Sequence, residues 1–249
     1  MKNTARTLAS LVALVFAHAP AAVWAQASCS SDGAPRPTAL FERFLSADCE
    51  ACWTDRATPA PTTGAGTAVL DWIVPGMSGE DAPLAAAAAS DALVRLEALG
   101  RKPPQATDVH TAAVQAAARP AGLRVAHGMP FNDYLGTAIA FTPGRPAAPG
   151  PLEFYLLLVE AVPAGTDGTA VSRNIVRNML HGTWGEPGQR PESGPGPGPG
   201  PGSGSGPSKW TETRSMRIPE GAQADRLRMV GWVQDAQGTV VAAAQSTCR

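Results

Sequence analysis

The chain has 249 residues, with 20 basic and 21 acidic side chains. This near-neutral balance excludes electrostatic steering to a polyanion, so nucleic acid is not an expected partner. The length exceeds that of one average domain and permits two compact halves.

The first 25 residues have the features of a cleavable signal peptide. Lys2 and Arg6 precede an uncharged apolar run, and the run ends in small residues at Ala25. A membrane span needs about 20 apolar residues, and a histidine and a proline interrupt this run. We therefore expect a secreted protein, periplasmic or extracellular, with no membrane span after signal cleavage.

Residues 26–119 are predicted to form strands that alternate with helices. Apolar runs indicate strands at residues 38–45 and 67–74. Leucines at helical spacing predict a helix over residues 81–99, and a second helix is expected over residues 107–119. This alternation favours an α/β layer.

Residues 120–249 are predicted to form an antiparallel β-sandwich. Short alternating segments between turn residues indicate strands at 123–127, 134–142, 152–162, 210–218, 226–234 and 239–244. The spacing at residues 171–180 fits a strand or a helix. Residues 185–209 contain nine glycines and seven prolines, which predicts a disordered insertion within the sandwich.

The four cysteines are Cys29, Cys49, Cys52 and Cys248. In an exported protein, an even number of cysteines predicts disulfide bonds. The short spacing allows Cys49 and Cys52 to pair locally, which leaves Cys29 to form a structural disulfide with Cys248. Closing so long a loop would contribute about 4 to 5 kcal/mol in the chain-entropy model.

The Cys49-x-x-Cys52 spacing suits two different roles. In a redox-active pair, the first cysteine lies at a helix N-terminus, where the helix dipole stabilises the thiolate. A permanent structural disulfide has the same spacing, and the sequence leaves both open. Trp53 directly after Cys52 excludes attachment of a c-type haem. The cysteines and histidines form no recognisable zinc motif, so neither a metal nor another cofactor is expected.

His127 and Met129 suggest a third interpretation. Their imidazole and thioether would suit copper if they lay beside the thiolates of Cys49 and Cys52. The alternative is a histidine at the end of a strand beside a turn. The sequence contains no Gly-x-Ser-x-Gly or His-Glu-x-x-His motif of hydrolases and no phosphate-binding Gly-x-x-x-x-Gly-Lys loop.

The segment Phe-Glu-Arg-Phe-Leu-Ser-Ala-Asp-Cys-Glu-Ala-Cys, residues 41–52, resembles the strand and Cys-x-x-Cys turn of a family of exported bacterial proteins, thioredoxin-like and of unknown function. Residues 69–74, 173–177 and 228–235 resemble further segments of that family. The resemblance implies an α+β protein with an N-terminal thioredoxin-like α/β half followed by a β-sandwich half. It also implies a strand at residues 171–180.

The chain departs from this family after Cys52. Residues 54–66 are rich in helix breakers, which limits any helix there to a turn or two. Trp53 adjoins the cysteine turn and is predicted to cover the disulfide or to receive a substrate peptide. By likeness to the family, Pro104 is the candidate for a cis-proline that contacts the substrate beside the disulfide.

These features leave three functions open. The first is an exported thiol-disulfide oxidoreductase or redox sensor, in which Cys49 is the nucleophile, Cys52 is the resolving thiol and exported protein thiols are the partners. The second is a non-catalytic envelope scaffold or binding protein in which both disulfides are structural. The third is a copper carrier.

Overall fold

The structure is a computed structural model, and it describes residues 28–62, 66–116, 120–144, 150–186, 188–189, 191–193 and 208–248. The predicted signal peptide lies outside these residues, and so do residues 194–207 of the glycine- and proline-rich tract. Among the described residues, no helix combines the length and the apolar character that crossing a membrane requires.

The described residues form thirteen strands and two α-helices. The strands are β1 Cys29–Ser30, β2 Ala39–Ser46, β3 Thr67–Val74, β4 Thr107–Ala113, β5 Gly122–His127, β6 Tyr134–Thr142, β7 Leu152–Val162, β8 Arg173–Trp184, β9 Glu192–Ser193, β10 Ser208–Arg217, β11 Leu227–Asp235, β12 Val240–Gln245 and β13 Thr247–Cys248. The helices are α1 Glu50–Thr54 and α2 Asp91–Ala98. Short 3-10 turns occupy Gly79–Asp81, Ala85–Ala87 and Ala224–Arg226.

The strands form two sheets. One has six strands in the order β13-β1-β5-β6-β10-β9, and the other has seven in the order β12-β11-β7-β8-β3-β2-β4. In the larger sheet, β2 and β3 are parallel along their whole length, and β3 meets β8 in parallel at Asp71 and Ile175. The larger sheet therefore joins strands from both sides of the predicted division at residues 119 and 120.

The two sheets pack face to face around an apolar core. Val125 and Ile139 of the six-stranded sheet share a buried cluster with Leu156 and Met229 of the seven-stranded sheet. The opposite face of the seven-stranded sheet is also covered, because Trp72 packs in a second cluster that includes residues of α2. A strand that is buried on both faces needs a continuous apolar run, and β7 has one.

The prediction of an N-terminal thioredoxin-like α/β half is wrong, because the protein is mostly β and its helices are short. Within residues 81–99, only the last part forms an α-helix. The backbone N–H groups of Leu84 and Ala89 donate to carbonyls of Ala47 and Ile73 instead of continuing a helix. These tertiary hydrogen bonds override the local helical pattern.

Residues 107–119 also differ from the predicted helix, because their first part is β4. β4 pairs antiparallel with β2 from Thr107 to Ala113 and forms the edge of the larger sheet. Thr107, Val109 and Thr111 are β-branched and alternate along the chain, which suits a strand. The alanines in this segment favour a helix only where no neighbouring strand offers hydrogen bonds.

Candidate functional site

The disulfide between Cys49 and Cys52 lies at the end of β2, where the chain leaves the larger sheet. Their Cα atoms are 5.3 Å apart. Both cysteines are half-buried, whereas Glu50 and Ala51 between them are exposed. A partner can therefore approach this turn from solvent.

Backbone hydrogen bonds form the turn that carries the disulfide. The N–H of Cys49 donates to the carbonyl of Ser46, and Cys49 is then the N-cap of α1. The N–H of Cys52 donates to Sγ of Cys49 across 3.2 Å. Because the first N–H groups of a helix have no partner within the helix, the sulfur of the N-cap residue can accept one of them.

Two carboxylates flank Cys49. Asp48 accepts backbone N–H groups from Met77 at 2.7 Å and from Ser78 at 3.2 Å. Hydrogen bonds from Ser78 and Met77 hold the pKa of Asp48 below its ordinary value. Asp48 is therefore ionised at neutral pH, and the exposed Glu50 adds a second acidic side chain on the other side of Cys49.

Arg173 holds the other end of α1. Its side chain is fully buried, and Nη2 donates to the backbone carbonyls of Cys52 and Trp53 at 3.0 Å each. Nη1 and Nε donate to the hydroxyls of Thr58 and Thr169. Carbonyls at a helix C-terminus lack partners within the helix, so Arg173 supplies the donors that α1 requires.

Asp71 carries the negative charge of this buried network. It accepts hydrogen bonds from Arg43 Nε at 2.7 Å and from the backbone N–H of Asn174 at 2.6 Å, and it lies 3.5 Å from Nη1 of Arg173. Burial lowers the pKa of Arg173, and the charge of Asp71 opposes that shift. One carboxylate thus faces two guanidinium groups, and neutral carbonyls and hydroxyls satisfy the remaining donors of Arg173.

Trp53 packs into the fold instead of projecting into solvent. It is 7% exposed, and its indole N–H donates to the carbonyl of Asp167 at 2.7 Å. The guanidinium of Arg173 lies 5.3 Å from its ring, which is within the range of a cation–π contact. Trp53 therefore contacts Arg173, the residue that holds the end of α1. It also forms one wall of a surface cavity of about 500 Å³, which Leu84 and Arg177 line as well.

A second cavity, of about 530 Å³, lies beside Cys52. Its walls include Ala106 and Thr107, where the loop enters β4. Pro104 is half-buried two residues earlier in the same loop and does not line this cavity. Ala106 and Thr107 are therefore the residues of this segment that line the cavity beside Cys52.

The second disulfide joins Cys29 to Cys248 and ties β1 to β13. Disulfide bonds are thus present, as the even number of cysteines predicts. The structure groups His127 with this second pair, because a ring nitrogen of His127 and the two sulfur atoms lie within 4.8 Å of one another. Met129 is exposed on the following loop.

Sequence reasoning missed Asp71 and Arg173 of the buried network behind Cys52, and it placed His127 beside Cys49 and Cys52 instead of beside Cys29 and Cys248. Asp71 is the one charged residue in the apolar segment of β3. A charged residue in such a segment indicates a buried ion pair. Arg173 indicates a buried ion pair only if its strand, β8, is already known to be buried. The register that places His127 opposite Cys29 has no local signature in the sequence.

No known protein-family model matches the chain, and no curated protein matches it. A solved structure, HBP35 of Porphyromonas gingivalis, aligns with a TM-score of 0.49 and 9% sequence identity, over 84% of this chain and 74% of that chain. A likeness at this level supports no assignment of function to the chain.

Proposed function

We propose that the protein exchanges thiols and disulfides with exported proteins through Cys49 and Cys52. The observation that carries this proposal is the hydrogen bond from the N–H of Cys52 to Sγ of Cys49 at a half-buried, accessible turn. An N–H group that points at sulfur stabilises a thiolate more than a thiol, because the thiolate is the stronger acceptor. Cys49 therefore has the features of the nucleophile and of the leaving group.

In the oxidising direction, a substrate thiolate attacks Sγ of Cys49. A disulfide forms between the substrate and Cys49, the Cys49–Cys52 bond breaks, and Cys52 leaves as a thiolate. A second substrate thiolate attacks the substrate sulfur, which forms the substrate disulfide and releases Cys49 as a thiolate. Two electrons pass from the substrate dithiol to the protein, and the two thiol protons are transferred to the cysteines.

The reverse direction uses the same groups. The Cys49 thiolate attacks a substrate disulfide, and Cys52 then attacks Cys49 in the mixed disulfide, so that the substrate leaves as a dithiol. The negative charges of Asp48 and Glu50 disfavour a thiolate at Cys49. The N–H group of Cys52, which donates to Sγ of Cys49, acts in the opposite direction. We therefore expect exchange to be slower than at a cysteine that lies beside cationic groups.

Trapping of mixed disulfides tests the proposal. In a Cys52→Ser variant, a substrate bound to Cys49 is not released, so adducts with exported proteins are expected on non-reducing gels. Cys49→Ser is the matched control, since it keeps Cys52 and the second disulfide but removes the nucleophile. Equal trapping by the two variants, or none by either, would contradict the assignment of Cys49.

A structural role for Cys49–Cys52 in a non-catalytic scaffold is the second candidate. The anchoring of Cys52 and Trp53 by the buried Arg173 favours it, because a disulfide in a rigid turn gains stability from the surrounding fold. The reduction potential distinguishes the two functions. A value well below about −300 mV would mark the bond as structural, and a higher value would support exchange.

A further inference from the structure

Three residues that bear metal-ligating atoms lie in one row across the end of the six-stranded sheet. Cys29 on β1 is directly opposite Cys248 on β13 and directly opposite His127 on β5. Both strand pairs are antiparallel, so residues in register point to the same face of the sheet and their Cβ atoms lie about 4.5 to 5.5 Å apart. The sheet therefore brings together three side chains that are up to 219 residues apart in the sequence.

The hydrogen bonds of His127 leave one ring nitrogen ready to act as a ligand. Its Nδ1 lies 2.8 Å from the carbonyl of Gly128, and because a carbonyl only accepts, Nδ1 carries the proton. In the neutral ring, Nε2 then has a free lone pair. His127 is 5% exposed, and its Nε2 is buried without a hydrogen-bond partner in the part of the chain that the structure describes.

A buried nitrogen without a partner destabilises the fold, because it has given up its hydrogen bonds to water and gained none in return. A ring that donates Nδ1–H to a backbone carbonyl and presents Nε2 is the arrangement of most histidines that bind metals. One ring nitrogen of His127 and the two sulfurs already lie within 4.8 Å of one another. The unpartnered nitrogen belongs to His127, and the clustering of ligand atoms independently places a ring nitrogen of the same residue beside both sulfurs.

We propose that reduction of the Cys29–Cys248 disulfide by a dithiol turns this row into a binding site for Zn²⁺. The reductant gives two electrons and two protons, the S–S bond breaks, and the dithiol becomes a disulfide. Zn²⁺ then displaces both thiol protons and binds the two thiolates and the neutral imidazole of His127. With Zn–S distances of about 2.3 Å, tetrahedral geometry separates the sulfurs by about 3.8 Å, which requires only a small movement of the strands.

Charge and exposure favour Zn²⁺ in particular. Two thiolates and one Zn²⁺ have no net charge, whereas a monovalent ion would leave a negative charge beside the buried Cys29 and His127. Thiolate and imidazole are ligands that Zn²⁺ prefers. Cys248 is exposed, so that a reductant reaches the disulfide and a water molecule reaches the fourth coordination position.

The proposed zinc site is separate from Cys49 and Cys52. It gives Cys29 and Cys248 a role as metal ligands in addition to their role in a disulfide. A metal that bridges β1 and β13 holds the same two strands together as the disulfide does. The chain would then keep these strands joined in an oxidising and in a reducing environment, with zinc replacing the covalent bond after reduction.

Metal binding by the full chain tests this proposal. The Cys49→Ser/Cys52→Ser variant, which leaves Cys29 and Cys248 as the only thiols, is reduced, desalted without oxygen, mixed with Zn²⁺ and desalted again. Mass spectrometry of the metal is expected to find about one zinc per chain after reduction and none in the oxidised form. His127→Gln in the same background is expected to weaken zinc binding at least about tenfold, whereas His110→Gln is not.

Protection of the thiols gives a second readout that needs no histidine variant. Zinc is expected to slow alkylation of both Cys29 and Cys248 in the reduced chain. Absence of zinc after reduction, unchanged alkylation, or equal zinc binding by His127→Gln and the His110→Gln control would overturn the proposal. Tight binding of Cu⁺ with no binding of Zn²⁺ would equally overturn it.

Discussion

Arg173 donates a hydrogen bond of 3.0 Å to the backbone carbonyl of Cys52, although the two residues are 121 positions apart in the chain. Through this contact, a buried strand of the larger sheet holds the turn that carries the Cys49–Cys52 disulfide. The side chain of Arg173 is fully buried, so its removal leaves the carbonyls of the half-buried Cys52 and of the buried Trp53 without this donor. The position of the disulfide therefore depends on the sheet and not only on its own short helix.

Replacement of Arg173 by methionine is expected to destabilise the protein. Arg173→Met leaves the carbonyls of Cys52 and Trp53 without their donor, but Arg43 still neutralises Asp71. We expect the free energy of unfolding in urea to fall by about 2 to 3 kcal/mol. Arg226→Met, at a more exposed arginine, should change the free energy of unfolding by less than about 1 kcal/mol.

Replacement of Asp71 by asparagine should cost more than the change at Arg173. Asp71→Asn leaves two buried guanidinium groups without a counter-charge, and breaking such a pair costs about 3 to 5 kcal/mol. Urea unfolding of both variants under the same conditions gives the comparison. Asp167→Asn is the matched control, since that carboxylate is exposed and 3.8 Å from its partner arginine. A smaller loss for Asp71→Asn than for Arg173→Met would refute this account of the network.

Removal of the charge at Glu50 should speed the reaction of Cys49. Glu50 is exposed and adjoins Cys49, so its carboxylate disfavours the thiolate. In a Cys52→Ser background, Glu50→Gln is expected to raise the rate of alkylation by neutral iodoacetamide about twofold at low salt. The effect should shrink in 1 M salt, where exposed charges are screened. Glu97→Gln, on the exposed side of α2, should leave the rate unchanged.

The stability of the protein should depend on pH through Asp48. Its pKa is lowered from 3.8 in the folded protein, so ionised Asp48 stabilises the fold above that value. This stabilisation is lost as the pH falls through the folded-state pKa. Asp48→Asn lacks the effect, and the difference in the free energy of unfolding between the two proteins should shrink as the pH falls below about 4.

The pKa of Asp91 is shifted in the opposite direction to that of Asp48. Burial raises its pKa from 3.8, so the folded state binds the proton more tightly than the unfolded state does. The fold therefore loses stability relative to Asp91→Asn as the pH rises from 3.8 to the folded-state pKa. Parallel pH curves for Asp48→Asn and Asp91→Asn would contradict both assignments.

Strong local patterns were sufficient to locate several strands. Residues 67–74, 134–142 and 152–162 coincide with β3, β6 and β7. In each of them, apolar side chains either alternate or form a run with few charged residues, and such patterns persist in any fold that buries the segment. Residues 171–180 fit a strand or a helix by spacing alone, and residues 173–180 belong to β8.

Segments with weaker patterns depended on their neighbours. The alanine-rich start of residues 81–99 donates to backbone carbonyls of residues 47 and 73, and residues 107–113 pair with β2. Apart from proline, residues differ in helical propensity by no more than about 1 kcal/mol, so hydrogen bonds to an adjacent strand override it. The α/β layer was predicted from these segments and is wrong for this reason, and the thioredoxin-like α/β half that the family resemblance implied is wrong with it.

The sequence by itself determined the apolar strands and the four cysteines from which two disulfides are made. Only the tertiary structure decided what surrounds each disulfide, because Arg173 reaches Cys52 and His127 faces Cys29 through pairing between distant strands. Strand register decides which chemically reactive side chains lie together, and it is set by pairing between segments that are distant in the sequence. Local spacing therefore predicts which residues are buried, whereas long-range pairing decides which of them can act on one another.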